Sequence, residues 1–206
     1  QAEGARLAIP QMMIAQVGDG SLGFSGQAEL SGAFPGGAVQ NLRLPVTGFY
    51  AASGDLSLWR RCVTARFDRL AIGATLIDGQ ALALCPPGGR AIVRSGTGGL
   101  KVAAGTPGLA LAGRLGETPL TLSTGAVGLA WPGFLNARDV TVTLGPDDTA
   151  TRLRLAELDA RLDKDLAGTF SGVEGRIAAV PLDLSDAAGS WRFAKGALVL
   201  SDVGFD

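Results

Sequence analysis

Apolar and polar residues alternate along this chain in short runs, and the alternation keeps restarting, usually at a glycine. The runs include "SLGFSGQAEL", "NLRLPV", "DGQALALC", "DVTVTL", "VPLDLS" and "KGALVL". Strict alternation sends every second side chain to the same side of a strand, so each run has one greasy face and one wet face. Many such runs, with almost no helical periodicity to compete, predict an all-β chain arranged as an extended antiparallel sheet.

Within the first of these stretches, Leu22, Phe24, Ala28 and Leu30 share one parity, while Ser25, Gln27 and Glu29 share the other. Gly26 and Gly32 interrupt the apolar parity and allow the strand to bend or bulge. The segment "FPGGAVQN" then turns the chain into Leu42, Leu44 and Val46. Further greasy faces come from Leu56 and Leu58, from Val63, Ala65 and Phe67, and from Leu82 and Leu84. More short strands follow between residues 99 and 145, separated by Gly and Pro. Residues 152–166 read two ways: Leu155, Leu158, Leu162 and Leu166 fit a helical face, whereas Leu158, Ala160 and Leu162 alternate with charged neighbours. The strand reading is favoured because both flanks are strands. Residues 1–206 are expected to form a single segment with a soft boundary near 86–98, where "PPGGRA" and "RSGTGG" carry turn chemistry.

The chain is 47% hydrophobic and only 18% charged, against roughly 25% charged for an ordinary soluble domain. It thus has more apolar side chains, and fewer charges to keep them wet, than a compact globule needs. A formal net charge of -1 gives no reason to expect nucleic acid. The longest apolar stretches fall short of the ~18 residues of a spanning helix. Gln1 opens the chain without a basic n-region or signal-peptide core, and the expectation is a piece of a longer protein.

Sites of chemistry are sparse. With no histidine, Ser-His-Asp and Cys-His pairs and histidine metal sites are excluded. No lysine sits in a phosphate-loop context. Gly18, Gly20 and Gly23 satisfy G-x-G-x-x-G, but the sequence that follows alternates with period two and lacks the acid a dinucleotide site needs, so a turn is expected. Asp147 and Asp148 fall in a loop, and no pair of acids converges as a glycosidase requires. No catalytic residue, metal ligand or cofactor is therefore expected. Trp59, Trp131 and Trp191 read as packing anchors at strand ends in preference to a carbohydrate-stacking platform.

Cys62 and Cys85 each sit in a probable strand. A disulfide between them would close a loop of about two dozen residues and stabilise by roughly 3 kcal/mol, implying an oxidising compartment; the alternative is two unpaired, buried thiols. Arg60, Arg61, Arg66 and Arg69 cluster around Cys62. They are either a solvated strand face or contacts for anionic lipid headgroups.

With its glycine-punctuated alternation, its "RRCVTARFDRLAI…DGQALALCP" block and its closing "GSWRFAKGALVLSDVGF", the chain resembles the YdbH-type proteins, relatives of the AsmA-like and TamB group. The resemblance implies a curled β-sheet open along one side, of the β-taco or β-groove type. Its apolar trough would carry phospholipid between the inner and outer membranes, without catalysis. It also implies a Gram-negative periplasm, an inner-membrane anchor outside this segment, and an outer-membrane lipoprotein as a further partner. Some members are labelled as dicarboxylate-transport proteins. Acyl chains would then be the ligand, each buried CH₂ contributing about 0.8 kcal/mol without directional contacts.

By alternation alone, the groove-facing candidates are Leu22, Phe24, Leu30, Leu42, Leu44, Phe67, Leu82, Leu84, Val140, Val142, Leu182, Leu198 and Leu200; a slip of one residue would reverse any strand's set. Two other readings are a structural or adhesive sandwich or solenoid whose apolar faces pack on each other, and a TamB-like factor that assists outer-membrane protein assembly through exposed sheet edges.

Overall fold

A computed structural model describes residues 4–34, 36–162, 166–177, 182–194 and 197–204, with the backbone alone at Ile177, Leu182, Ala194, Ala197 and Leu198. The expected all-β class holds: among the described residues there are strands, turns and one short 3-10 turn at Pro87–Gly89, and no α-helix. The chain divides into two units, Gln1–Gly105 and Thr106–Asp206.

The first unit contains β1 (Arg6–Ala8), β2 (Met12–Gln16), β3 (Leu22–Phe34), β4 (Gly37–Tyr50), β5 (Leu56–Leu58), β6 (Val63–Ile72), β7 (Thr75–Leu84), β8 (Val93–Gly96) and β9 (Gly99–Thr106). All its pairings are antiparallel. β3 takes β1 and β2 on one side and β4 on the other. β4 then forks, pairing through Gly48–Tyr50 with β5 and through its first half with β6. β6 continues to β7, and β5 continues through β8 to β9. At the fork, Cys62 and Cys85 are joined as a disulfide across the open end of the β6–β7 hairpin.

The second unit contains β10 (Leu109–Leu115), β11 (Thr118–Thr124), β12 (Val127–Trp131), β13 (Gly133–Leu144), β14 (Thr151–Leu162), β15 (Leu166–Ile177), β16 (Leu182–Ala194) and β17 (Ala197–Gly204). β11 and β12 lie end to end along β13, which leads through β14, β15 and β16 to β17 in an unbranched antiparallel ladder. The strand reading of residues 152–166 is correct over Thr151–Leu162, while residues 163–165 lie outside the described set.

The strands are longer than the runs seen in the sequence. "NLRLPV", "DGQALALC" and "DVTVTL" do not begin strands; they begin halfway along β4, β7 and β13. What restarts there is the phase of the alternation. In β4, Val39 and Leu42 are separated by Gln40 and Asn41, and in β6, Phe67 and Leu70 are separated by Asp68 and Arg69. In β7, Asp78 and Gly79 fall at the same level, because Gln40 faces Arg69 and Arg69 faces Asp78. β3 contributes Ser31 and Gly32, with a register shift there against β4.

Each strand therefore shifts its apolar phase by one residue at a shared level, in a polar row that crosses these strands, with a slip of register between β3 and β4. Gly32 (φ 131°) and Asn41 (φ 51°) adopt left-handed backbone in this row, which re-aims the following side chains and bends the strand. The row is bonded along its length: Asn41 N–H donates to Ser31 Oγ at 2.9 Å, and Asn41 Nδ2 donates to Asp68 Oδ2 at 2.6 Å.

The second unit repeats the device. Its row runs through Gly125–Ala126, Arg138–Asp139, Ala156–Glu157, Ser171–Gly172 and Ser185–Asp186, with Asp139 (φ 52°), Gly172 (φ 59°) and Asp186 (φ 48°) left-handed. A Cβ on Gly172 would stand 2.7 Å from the Cβ of Ala156, so only glycine fits. Arg138 pairs with Glu157 at 3.5 Å, and Asn136 Nδ2 donates to Asp159 Oδ1 at 2.7 Å beside it.

Several of the buried apolar side chains flank these rows. Val39 and Phe67 lie beside the first, and Ala137, Val140, Val173 and Ala187 beside the second. The phase shifts thus keep apolar residues of opposite parity on one face of each unit, while the row itself shows its polar atoms to water.

Candidate functional site

The apolar face of the first unit is assembled by register. Leu22 faces Tyr50, Phe24 faces Gly48, Ala28 faces Leu44 and Leu30 faces Leu42. On the other branch Val63 faces Leu84, Ala65 faces Leu82 and Phe67 faces Gln80. Arg43 stands directly opposite Arg66, so their chain neighbours Leu42, Leu44, Ala65 and Phe67 point together to the other side. The eight candidates Leu22, Phe24, Leu30, Leu42, Leu44, Phe67, Leu82 and Leu84 accordingly share one face. Glycine lets rings lie flat across it: the Phe24 ring occupies the space a Cβ of Gly48 would need.

In the second unit Val140 faces Leu155 and Val142 faces both Leu122 and Leu153. Leu155 in turn faces Val173, and Leu200 faces Trp191. The Phe170 ring lies 2.8 Å from where a Gly189 Cβ would be. Leu182 stands opposite Ile177 and Leu198 opposite Phe193 as strand positions, and their side chains lie outside the described residues. Sequence reasoning left out Val39, Leu70 and Ile77, Leu153, Leu155 and Leu158, and Phe170 and Val173. Their signal was the polar or small pair that shifts the apolar phase between neighbouring members.

Exposure is graded along these faces. Of the thirteen candidates, Phe67 and Val140 are buried, Leu200 is 54% exposed, and the others with described side chains are half-buried. Among the described residues, the only side chain less than 2% exposed is Ser21, which is not what a closed hydrophobic core leaves. The accessible surface is 13128 Å² for 20.9 kDa. Two compact proteins of half that mass would together expose about 11,000 Å².

The arginines lie away from this face. Arg66 faces Arg43, and Arg69 faces Gln40 and Asp78, on the polar side of β4, β6 and β7. Arg60 and Arg61 belong to the segment between β5 and β6, where they line a cavity of about 910 Å³ on that same opposite side. Trp59 lies in the same segment, Trp131 closes β12, and Trp191 is inside β16.

The G-x-G-x-x-G stretch is the expected turn. Asp19 Oδ1 accepts the Ser21 N–H at 2.9 Å, and that bond holds the Asp19 carboxyl below the usual carboxylate range. Among the described residues no group of His, Cys, Asp or Glu could hold a metal ion, and no helix is long and apolar enough to cross a membrane.

The family model described as "YdbH-like: Intermembrane phospholipid transport protein YdbH" matches residues 2–206. No curated protein and no solved structure matches the chain. The match spans almost the whole chain, which belongs to this family of intermembrane phospholipid transport proteins.

Proposed function

From its place in the YdbH-like family, we propose that the chain is a non-enzymatic segment of a lipid conduit. Its apolar face holds phospholipid acyl chains and lets them slide along it. The observation that carries this reading is a predominantly apolar side on long strands, kept in phase by the polar rows and left half-buried. Each CH₂ that leaves water there contributes about 0.8 kcal/mol. No directional bond opposes movement, so tails are held without being locked in place. The setting proposed is the periplasm of a Gram-negative bacterium, where the disulfide would persist. An inner-membrane tether and an outer-membrane lipoprotein partner would lie outside this segment.

Lipid mass spectrometry on the purified segment tests the reading, together with photo-crosslinking of lipid in Leu82→Asp and Leu84→Asp. Copurified phospholipid, and a marked drop in crosslinks in both variants, are expected. A lipid-free protein with a cooperative melt would favour a closed structural module. Bound unfolded polypeptide would favour an assembly factor.

A further inference from the structure

On the opposite side of the first unit, the polar face turns apolar at one end. There Ala15, Gly23, Phe49 and Ser57 follow one another across β2, β3, β4 and β5, next to Met13, Ser25 and Thr47. The 910 Å³ cavity lies over this patch, walled by Met13, Phe49 and Trp59, edged by Arg60 and Arg61, and reaching the intervening row Ile14, Phe24 and Gly48, of which Phe24 is also a groove candidate. A second cavity of about 430 Å³ shares Phe49, Ser57 and Arg60 with the first, and adds Arg94 and Lys101 against one acid, Asp55. The register continues from Ser57 to Arg94 and on to Lys101, so oil passes into positive charge along a single row.

Two further observations point to a ligand. Among the described residues Arg60, Arg61, Arg94 and Lys101 have no ion-pair partner, and Arg94 Nε is buried without a hydrogen bond. Trp59 has φ 57°, a conformation bulky residues rarely adopt. It is held there by its indole N–H, which donates to the Pro45 carbonyl at 2.6 Å, and by backbone bonds to Thr47 and Ile92. That backbone places the indole on the apolar wall and Arg60 and Arg61 at its edge.

We propose that these joined cavities bind an anionic amphiphile, its tail against Met13, Phe49 and Trp59 and its phosphate or carboxylate head among Arg60, Arg94 and Lys101. Guanidinium groups take such heads in bidentate fashion, and the larger cavity falls within the roughly 300–1,000 Å³ usual for small-molecule sites. The site is on the other side of the sheet from the face proposed to conduct lipid, and it stands whether or not that face does.

Trp131→Phe/Trp191→Phe leaves Trp59 as the sole indole. Titrating that protein with dodecyl phosphate below its micelle concentration should give a saturable change in emission. Dodecyl maltoside should bind at least tenfold more weakly, and inorganic phosphate at the same concentrations should change nothing. Arg60→Gln/Arg94→Gln should weaken dodecyl phosphate at least tenfold. Met13→Ser, at a side chain 74% exposed and so no threat to folding, should weaken it several-fold. Leu82→Asp on the other face should leave the curve unchanged. Equal affinity for the maltoside, saturation by phosphate alone, an unchanged curve in the arginine variant, or a curve lost only in Leu82→Asp would each overturn the assignment.

Discussion

The two units solve one problem with different amounts of support. In Thr106–Asp206 β13 divides its partners between β11 and β12, but from β13 to β16 the strands are long and each supports the next. In Gln1–Gly105, β4 divides its partners between β5 and β6. The fork leaves strand ends without a continuous neighbour, and it is there that the disulfide and the strained Trp59 are found. Both units nevertheless cross their strands with a polar row that shifts the apolar phase by one residue. The row and the divided strand are thus common to both, and the disulfide staple belongs to the first unit alone.

That contrast can be broken most sharply at the staple. Cys62→Ser/Cys85→Ser should cost roughly 3 kcal/mol. The loss should be confined to amides of β4, β6 and β7 in hydrogen exchange, with β13 to β16 untouched. Equal loss of protection in both units would remove the distinction drawn here.

The next largest effect belongs to the second unit. Gly172→Val places a β-branched side chain at φ 59° against Ala156, and should cost about 2–3 kcal/mol in denaturant unfolding. In the first unit, Asn41→Val should cost about 1–2 kcal/mol, because valine pays for left-handed backbone and leaves Asp68 without its partner. Asn41→Gly should recover most of that. If glycine is as damaging as valine, the side-chain bonds hold the row together and the backbone conformation does not.

The smallest effect is acidic. Asp19 carries a folded-state pKa below its unfolded value because its carboxylate accepts the Ser21 N–H. Its stabilisation is complete above the ordinary carboxylate range and disappears as pH falls through the lowered folded value. Asp19→Ala should flatten that limb of the stability profile and leave neutral pH almost unchanged. A variant profile parallel to the parent's at low pH would argue against the turn bond.

Fold class was readable because period-two alternation dominates wherever strands are uniform. It misled where the rows cross. Leu155 and Leu158 are three apart, a spacing shared by a helical face and by a strand with one bulged residue, hence the double reading of residues 152–166. The run "DGQALALC" restarts the alternation at Asp78–Gly79, yet the chain passes straight through that pair in β7. The parity of Leu82 and Leu84 against Phe67 came out of alternation directly, since all three lie on one side of the row. The cavity at Phe49 and Trp59 was not readable at all. It depends on β4 changing partners, a pairing that no local pattern encodes.

The account rests on the apolar side changing parity at the row while remaining the side that meets lipid. A photo-crosslinking side chain walked through β14 in the presence of phospholipid tests this directly. Adducts should form at 153 and 155, then at 158, 160 and 162, and be absent at 154, 157, 159 and 161. Adducts that stay on odd positions along the whole strand, or that fall equally on both parities, would contradict it.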